Sequence, residues 1–123
     1  MNRGRGRQQL ITDIILGMET VTAVDALARF GHALSDPIRS RILVELSEGP
    51  AYPAELSDLL NVSRQRMSNH LACLRGCGLV VVVPEGRRVR YELADSRLSH
   101  ALSDLLGVVL VTDPEHEMTI AAS

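Results

Sequence analysis

Apolar residues recur at intervals of three and four along most of the chain and switch to alternation over one short stretch, which predicts several short helices and one hairpin. Val21, Val24, Leu27, Phe30 and Leu34 fall on one face of a first helix. Asp36 followed by Pro37 supplies an N-cap and a first-turn proline for a second helix, whose stripe of Ile38, Ile42, Leu43 and Leu46 runs until Gly49. Pro53 opens a third, short helix with Leu56, Leu59 and Leu60 expected inward, and Asn61 suits the left-handed conformation that ends it. Ser63 then caps a fourth helix running to about Arg75, with Met67, Leu71 and Leu74 inward and Gly76 and Gly78 as its stop.

Beyond that stop, residues 79–83 form a β-branched run, Pro84, Glu85 and Gly86 read as a turn, and residues 87–93 alternate strictly. Val89, Tyr91 and Leu93 share one face of this second strand, and Arg88, Arg90 and Glu92 the other. Asp95 or Ser96 caps a last helix with the stripe Leu98, Leu102, Leu105 and Val109, widened by Ala101, Leu106 and Val108. The expected organisation is a flexible basic arm over 1–20, one folded domain over 21–111 and an acidic tail over 112–123. Met18 offers an alternative first residue.

Composition narrows the class. The chain has 123 residues, 46% of them hydrophobic and 23% charged, which suits one globular domain and excludes a large multidomain enzyme. Phe30, Tyr52 and Tyr91 are its aromatic residues, so aliphatic side chains must build the core, as in small helical domains. Cys73 and Cys77 are too few and too close to staple a secreted fold, which points to a reducing cytoplasm. No apolar run approaches a membrane span, and residues 10–18 are interrupted by Asp13 and lack a signal-peptide cleavage site.

The net charge of -2 hides a local excess. All thirteen basic residues are Arg, a planar fork suited to phosphates and guanine edges. Between 61 and 92, Arg64, Arg66, Arg75, Arg87, Arg88 and Arg90 face only Glu85 and Glu92. A solvated surface is the ordinary explanation of a charge run, so its position along the chain decides. Short helix, tight turn, second helix and basic hairpin is the order of a winged helix-turn-helix, and the arginines fall on its second helix and its wing. The fold class expected is therefore mostly α with a β-hairpin wing. Arg64, Gln65, Arg66, Ser68 and Asn69 point away from the inward stripe and are the candidate readers of the major groove of double-stranded DNA. Arg87, Arg88 and Arg90 are the candidate phosphate or minor-groove contacts, giving affinity more than sequence choice. Arg3, Arg5 and Arg7, interleaved with glycine, would suit a minor-groove arm or an unstructured tail. His70, beside Leu71, is expected to be a satisfied, partly buried imidazole.

The linked motifs Leu34-Ser35-Asp36-Pro37-Ile38-Arg39, Ser68-Asn69-His70-Leu71-Ala72-Cys73-Leu74-Arg75-Gly76-Cys77-Gly78-Leu79 and Gly86-Arg87-Arg88-Val89-Arg90-Tyr91 resemble the ArsR/SmtB family of metal-responsive repressors. The resemblance covers roughly residues 24–111. It implies a homodimer paired through the first and last helices, with Val24, Leu27, Leu98, Leu102, Leu105 and Val109 at the interface. It also implies that the metal-free dimer occupies an operator and that an inducing ion releases it. Of the family's ligand positions, those at the start of the third helix hold Ala51, Tyr52 and Ala54 here. Those on the last helix retain Asp95 but carry Arg97, Val108 and Val111. Cys73 and Cys77 match the pair used by the cadmium- and lead-sensing members, whose third ligand is a tail cysteine; in this tail stand His116, the better donor, and Met118.

Chemistry agrees with that pair. Residues four apart on a helix have Cβ atoms about 5 to 6 Å apart, and two thiolates at about 2.3 Å from one ion fit such a spacing. Sulfur donors favour soft ions such as Cd(II), Pb(II), Cu(I) or Zn(II), and spacing does not rank them; the preference for cadmium or lead, with zinc possible, is what the resemblance implies. Two other roles stay open for the cysteines, as a redox switch or as inert core fillers. Ser, His and Asp are present, but no phosphate loop, HExxH or nucleophile elbow accompanies them, so no enzyme is expected.

Overall fold

In a computed structural model, which describes residues 20–112 together with Gln9, the chain runs α1 (Thr20–Leu34), α2 (Pro37–Glu48), α3 (Pro53–Leu60), α4 (Arg64–Gly76), β1 (Val80–Glu85), β2 (Arg88–Leu93) and α5 (Arg97–Thr112). The arm with Arg3, Arg5 and Arg7, the Val21 side chain, and the tail with His116 and Met118 lie outside the described residues. None of the described helices is long and apolar enough to cross a membrane.

Each boundary has a local cause. Asp36 is extended (φ -109°, ψ 129°), as a residue before proline prefers, and its carboxylate accepts the N–H groups of Ile38 and Arg39 at 2.9 and 3.0 Å. Gly49 closes α2 at φ 149°, a conformation costly for any side chain. Tyr52 precedes Pro53 and gives its N–H to Glu55 at 3.2 Å. Asn61 is left-handed (φ 54°, ψ 50°) and ends α3, and two residues later the Ser63 hydroxyl accepts the Arg66 N–H at 3.1 Å to start α4. At the start of α5 the Asp95 carboxylate accepts the Arg97 N–H at 2.8 Å.

The core lies under α2, α3 and α4. Ile42, Leu43, Leu46, Leu56, Val62, Met67, Leu71, Leu74 and Val80 are buried, while α1 and α5 contribute only Ala33 and Leu102. The rest of their apolar faces is open: Leu27 is 71% exposed, Val24 56%, Val109 49% and Leu105 41%. Leu98 packs against the core within this chain.

Three expectations are corrected. Leu59 was expected inward but is 55% exposed, and Ser57 is buried beside Leu56 instead. An eight-residue helix buries one ridge, here that of Leu56 and Leu60, and Leu59 falls outside it. The turn is Gly86-Arg87, with Pro84 paired to Val89 and Glu85 to Arg88; a two-stranded sheet has open edges that tolerate a missing N–H, so proline need not end the strand. Glycine at φ 63° then supplies the tight turn. Finally, the alternation over 87–93 does not separate a buried face from an arginine-lined one: Val89 is 41% exposed while Arg90 is half-buried, because the tip of the hairpin projects beyond the body.

Candidate nucleic-acid interface and thiol pair

α4 presents two faces. Met67, Leu71 and Leu74 fix its depth in the core, which leaves Arg64, Gln65, Arg66, Ser68 and Asn69 exposed in one outward row. Within that row the Gln65 amide donates to the Asn69 carbonyl oxygen at 3.1 Å, pre-ordering two groups able to pair with base edges. Arg64 turns back toward α3, donating to the Ala54 carbonyl at 2.8 Å with Asp58 3.5 Å away. Arg66 has no partner among the described residues.

The expected wing arginines divide. Arg88 lies over the Tyr52 ring, 3.5 Å from its centroid. Arg90 sits between Glu85 and Glu92 at 3.6 and 3.7 Å. Arg87 is in the turn, exposed. Tyr52 and Glu85 are participants that the sequence did not flag. The phenol donates to Glu85 at 2.7 Å across 33 residues of chain, and that bond to a carboxylate, ahead of desolvation and the charge of Glu85, raises the Tyr52 pKa. No local pattern announces so distant a pair.

Cys73 lies in the last turn of α4 and Cys77 caps its end, with the Cys77 N–H bonded to the Cys73 carbonyl at 3.0 Å. Both thiols are free and half-buried, and Cys77 packs against the core. Burial first, then the charge and hydrogen bond of the adjacent Cys73, push the Cys77 thiol up; the guanidinium groups of Arg29 and Arg39 oppose this. The thiol pair thus stands near α1 and α2 as well as at the foot of α4. Arg39 in turn donates to the His32 and Ala33 carbonyls at 2.9 and 3.1 Å, closing the end of α1.

Other candidate donors are engaged. Asp95 is chelated by Arg97 at 2.7 Å, and this hydrogen-bonded pairing lowers its pKa to about 2. His70 is partly buried as expected, with 15% of its side chain exposed, and its Nδ1 lies 3.8 Å from Asp36, beyond hydrogen-bond distance. No group of three His, Cys, Asp or Glu side chains is placed to hold an ion among the described residues. Two sulfur donors would fill at most two positions of a soft-ion site, and a third protein donor would have to come from outside the described residues.

Residues 36–82 match the family described as bacterial regulatory protein, arsR family. The chain is 58% identical over 90 residues to the HTH-type transcriptional regulator CmtR of Mycobacterium tuberculosis, covering 73% of this chain and 76% of that protein. The NMR structure of the cadmium metal-sensor CMTR from that organism is similar at a TM-score of 0.58 and 58% identity, covering 67% of this chain and 85% of that one. The homodimeric winged helix-turn-helix DNA-binding domain of a possible ArsR-family regulator from Mycobacterium bovis matches at a TM-score of 0.69 and 26% identity, over 72% and 82% of the two chains.

Proposed function

Because this chain belongs to the arsR family of bacterial regulatory proteins, we propose that it is a cytoplasmic repressor that holds an operator as a metal-free homodimer and releases it when Cys73 and Cys77 take up cadmium or lead. The carrying observation is the pair of free, half-buried thiols at the C-terminal end of the helix whose first turns bear Gln65, Arg66 and Asn69. Its similarity to a cadmium sensor supports the choice of ion.

Exposed apolar rows on α1 and α5 support pairing with a second copy. Val24, Leu27, Leu105 and Val109 would be covered there, whereas Leu102 is already buried and Leu98 already packed within one protomer. Twofold pairing presents two α4 helices to successive major grooves, with Arg64, Gln65, Arg66, Ser68 and Asn69 at the bases and backbone.

Cys73 and Cys77 would supply two thiolate ligands and His116 the third; a bound soft ion supplies a crosslink between those side chains. Cys77 packs against the core and lies within the electrostatic reach of Arg29 on α1 and Arg39 on α2, so a charged ion at the thiols would be felt by the helix that carries Leu27. A hundredfold loss of operator affinity requires about 3 kcal/mol of coupling, within reach of a thiolate site.

The test is to titrate cadmium, lead, zinc and arsenite into the protein on its own promoter fragment, following thiolate-to-metal absorption and DNA release together. Absorption with release at the same stoichiometry is expected. Absorption without release would make the site structural. Release by peroxide or diamide alone would establish a redox switch, and release by none of these a regulator with inert thiols.

A further inference from the structure

The segment that starts α3 grips both strands of the wing. Ala51 exchanges both backbone hydrogen bonds with Tyr91 of β2, at 3.0 and 2.8 Å. Next to it, Tyr52 bonds through its hydroxyl to Glu85, the last residue of β1, at 2.7 Å and carries the Arg88 guanidinium on its ring. Arg90 lies against the same Glu85 and against Glu92. Its side chain is only 33% exposed, and its buried Nε has no hydrogen-bond partner among the described residues.

Arg90 is thus balanced by two carboxylates along the wing, while Arg88 rests on a phenol ring fixed by the body of the protein. For Arg90 to meet a phosphate it would have to leave its carboxylates, and Glu85 and Glu92 would then stand uncompensated near the DNA backbone; Arg88, stacked face-on against the ring, keeps its in-plane N–H groups. Arg87, in the turn, gives up nothing: it is exposed and has no partner among the described residues.

Building on the operator-binding role, we infer that Tyr52 is a positioning residue for the wing and that Arg87, rather than the carboxylate-paired Arg90, is a wing cation that reaches phosphate.

Counterion release separates these roles. Each phosphate neutralised contributes roughly 0.9 to the slope of log affinity against log salt, whereas a residue that only sets geometry shifts affinity at every salt concentration alike. The measurement is operator affinity for the full chain on a labelled duplex of its own promoter, at several salt concentrations, with active protein fraction fixed by stoichiometric titration. Arg87→Ala is expected to flatten the slope by roughly one. Arg90→Gln combined with Glu92→Gln, which removes the cation together with a carboxylate and so keeps the local charge, should leave the slope unchanged. Tyr52→Phe keeps the ring under Arg88 and removes one hydrogen bond, so affinity should fall roughly three- to tenfold at constant slope. A variant that merely unfolds part of the sample loses active fraction without changing the affinity of the remainder. An unchanged slope in Arg87→Ala, a flatter one in the Arg90→Gln, Glu92→Gln variant, or unchanged affinity in Tyr52→Phe overturns the inference while operator binding stands. Wild-type protein with no salt-dependent binding would overturn both.

Discussion

Nδ1 of His70 lies 3.8 Å from Oδ2 of Asp36, so the middle of α4 stands beside the residue that starts α2. The same oxygen accepts the Ile38 and Arg39 N–H groups. The Arg39 N–H contributes most to holding the Asp36 carboxyl below the ordinary carboxylate range; partial burial opposes it, and His70 and the Ile38 N–H add to the lowering.

A lowered pKa in the folded state gives stability that is complete above the ordinary carboxylate value and is lost as pH falls through the folded value. Thermal stability of the wild type should therefore drop between about pH 5 and pH 3, part of the drop arising at Asp36. Asp36→Asn keeps a capping oxygen without the charge and should flatten that part of the curve. Asp36→Ala also loses the cap, at a cost of about 1 kcal/mol, or several degrees in Tm. Parallel acid transitions in wild type and Asp36→Asn would show that the charge at Asp36 contributes nothing.

The two apolar rows should behave differently on substitution. Leu27 is 71% exposed in one protomer, so Leu27→Glu leaves the core intact and places a charge in the proposed interface. Sedimentation should show monomer at concentrations where wild type is dimeric, with helical circular dichroism retained, and operator affinity should fall more than about tenfold because one half-site is lost. Leu102 is 9% exposed, and Leu102→Ala should cost about 2 to 5 kcal/mol of stability. A dimeric Leu27→Glu protein would move the interface elsewhere.

Local signals made most of the fold legible. Asp36-Pro37, Asn61, Ser63 and the Met67, Leu71 and Leu74 stripe each act within a few residues, and the structure places all of them as the sequence predicts. Where placement depends on long-range packing, the pattern was insufficient. Leu59 carries the same hydrophobicity as Leu56, and only the neighbours of α3 decide which is covered. The wing arginines read as one basic face, yet Tyr52 and Glu85 lie 33 residues apart in sequence and together redistribute that charge.

On α4, base reading and backbone attraction should separate. Gln65 and Asn69 hold each other at 3.1 Å, so Asn69→Ala removes one reader and loosens the other. It should cost about 1 to 3 kcal/mol on the operator and much less on random duplex, narrowing the ratio between them. Arg66→Ala should weaken both duplexes alike and lower the salt slope by about one. Equal losses on operator and random DNA in Asn69→Ala would remove it from base reading.

The thiol pair gives the most direct test of metal control. Serine nearly preserves cysteine's shape, and Cys73 and Cys77 lie at the C-terminal end of α4, a turn or more beyond Asn69, so either Ser variant should bind the operator within about threefold of wild type. Each should lose the sulfur-to-cadmium absorption band, and release by cadmium should fall from about a hundredfold to less than about twofold. His116→Ala keeps both sulfurs and should retain part of the absorption while weakening the ion and its effect on DNA. Cys77 packs against the core where Cys73 does not, so Cys77→Ser should be the less stable of the two. Comparing them separates lost packing from lost ligation: both must abolish release, though only one loses much stability. Cadmium release persisting in the double Ser variant at the wild-type dose would remove Cys73 and Cys77 from the mechanism.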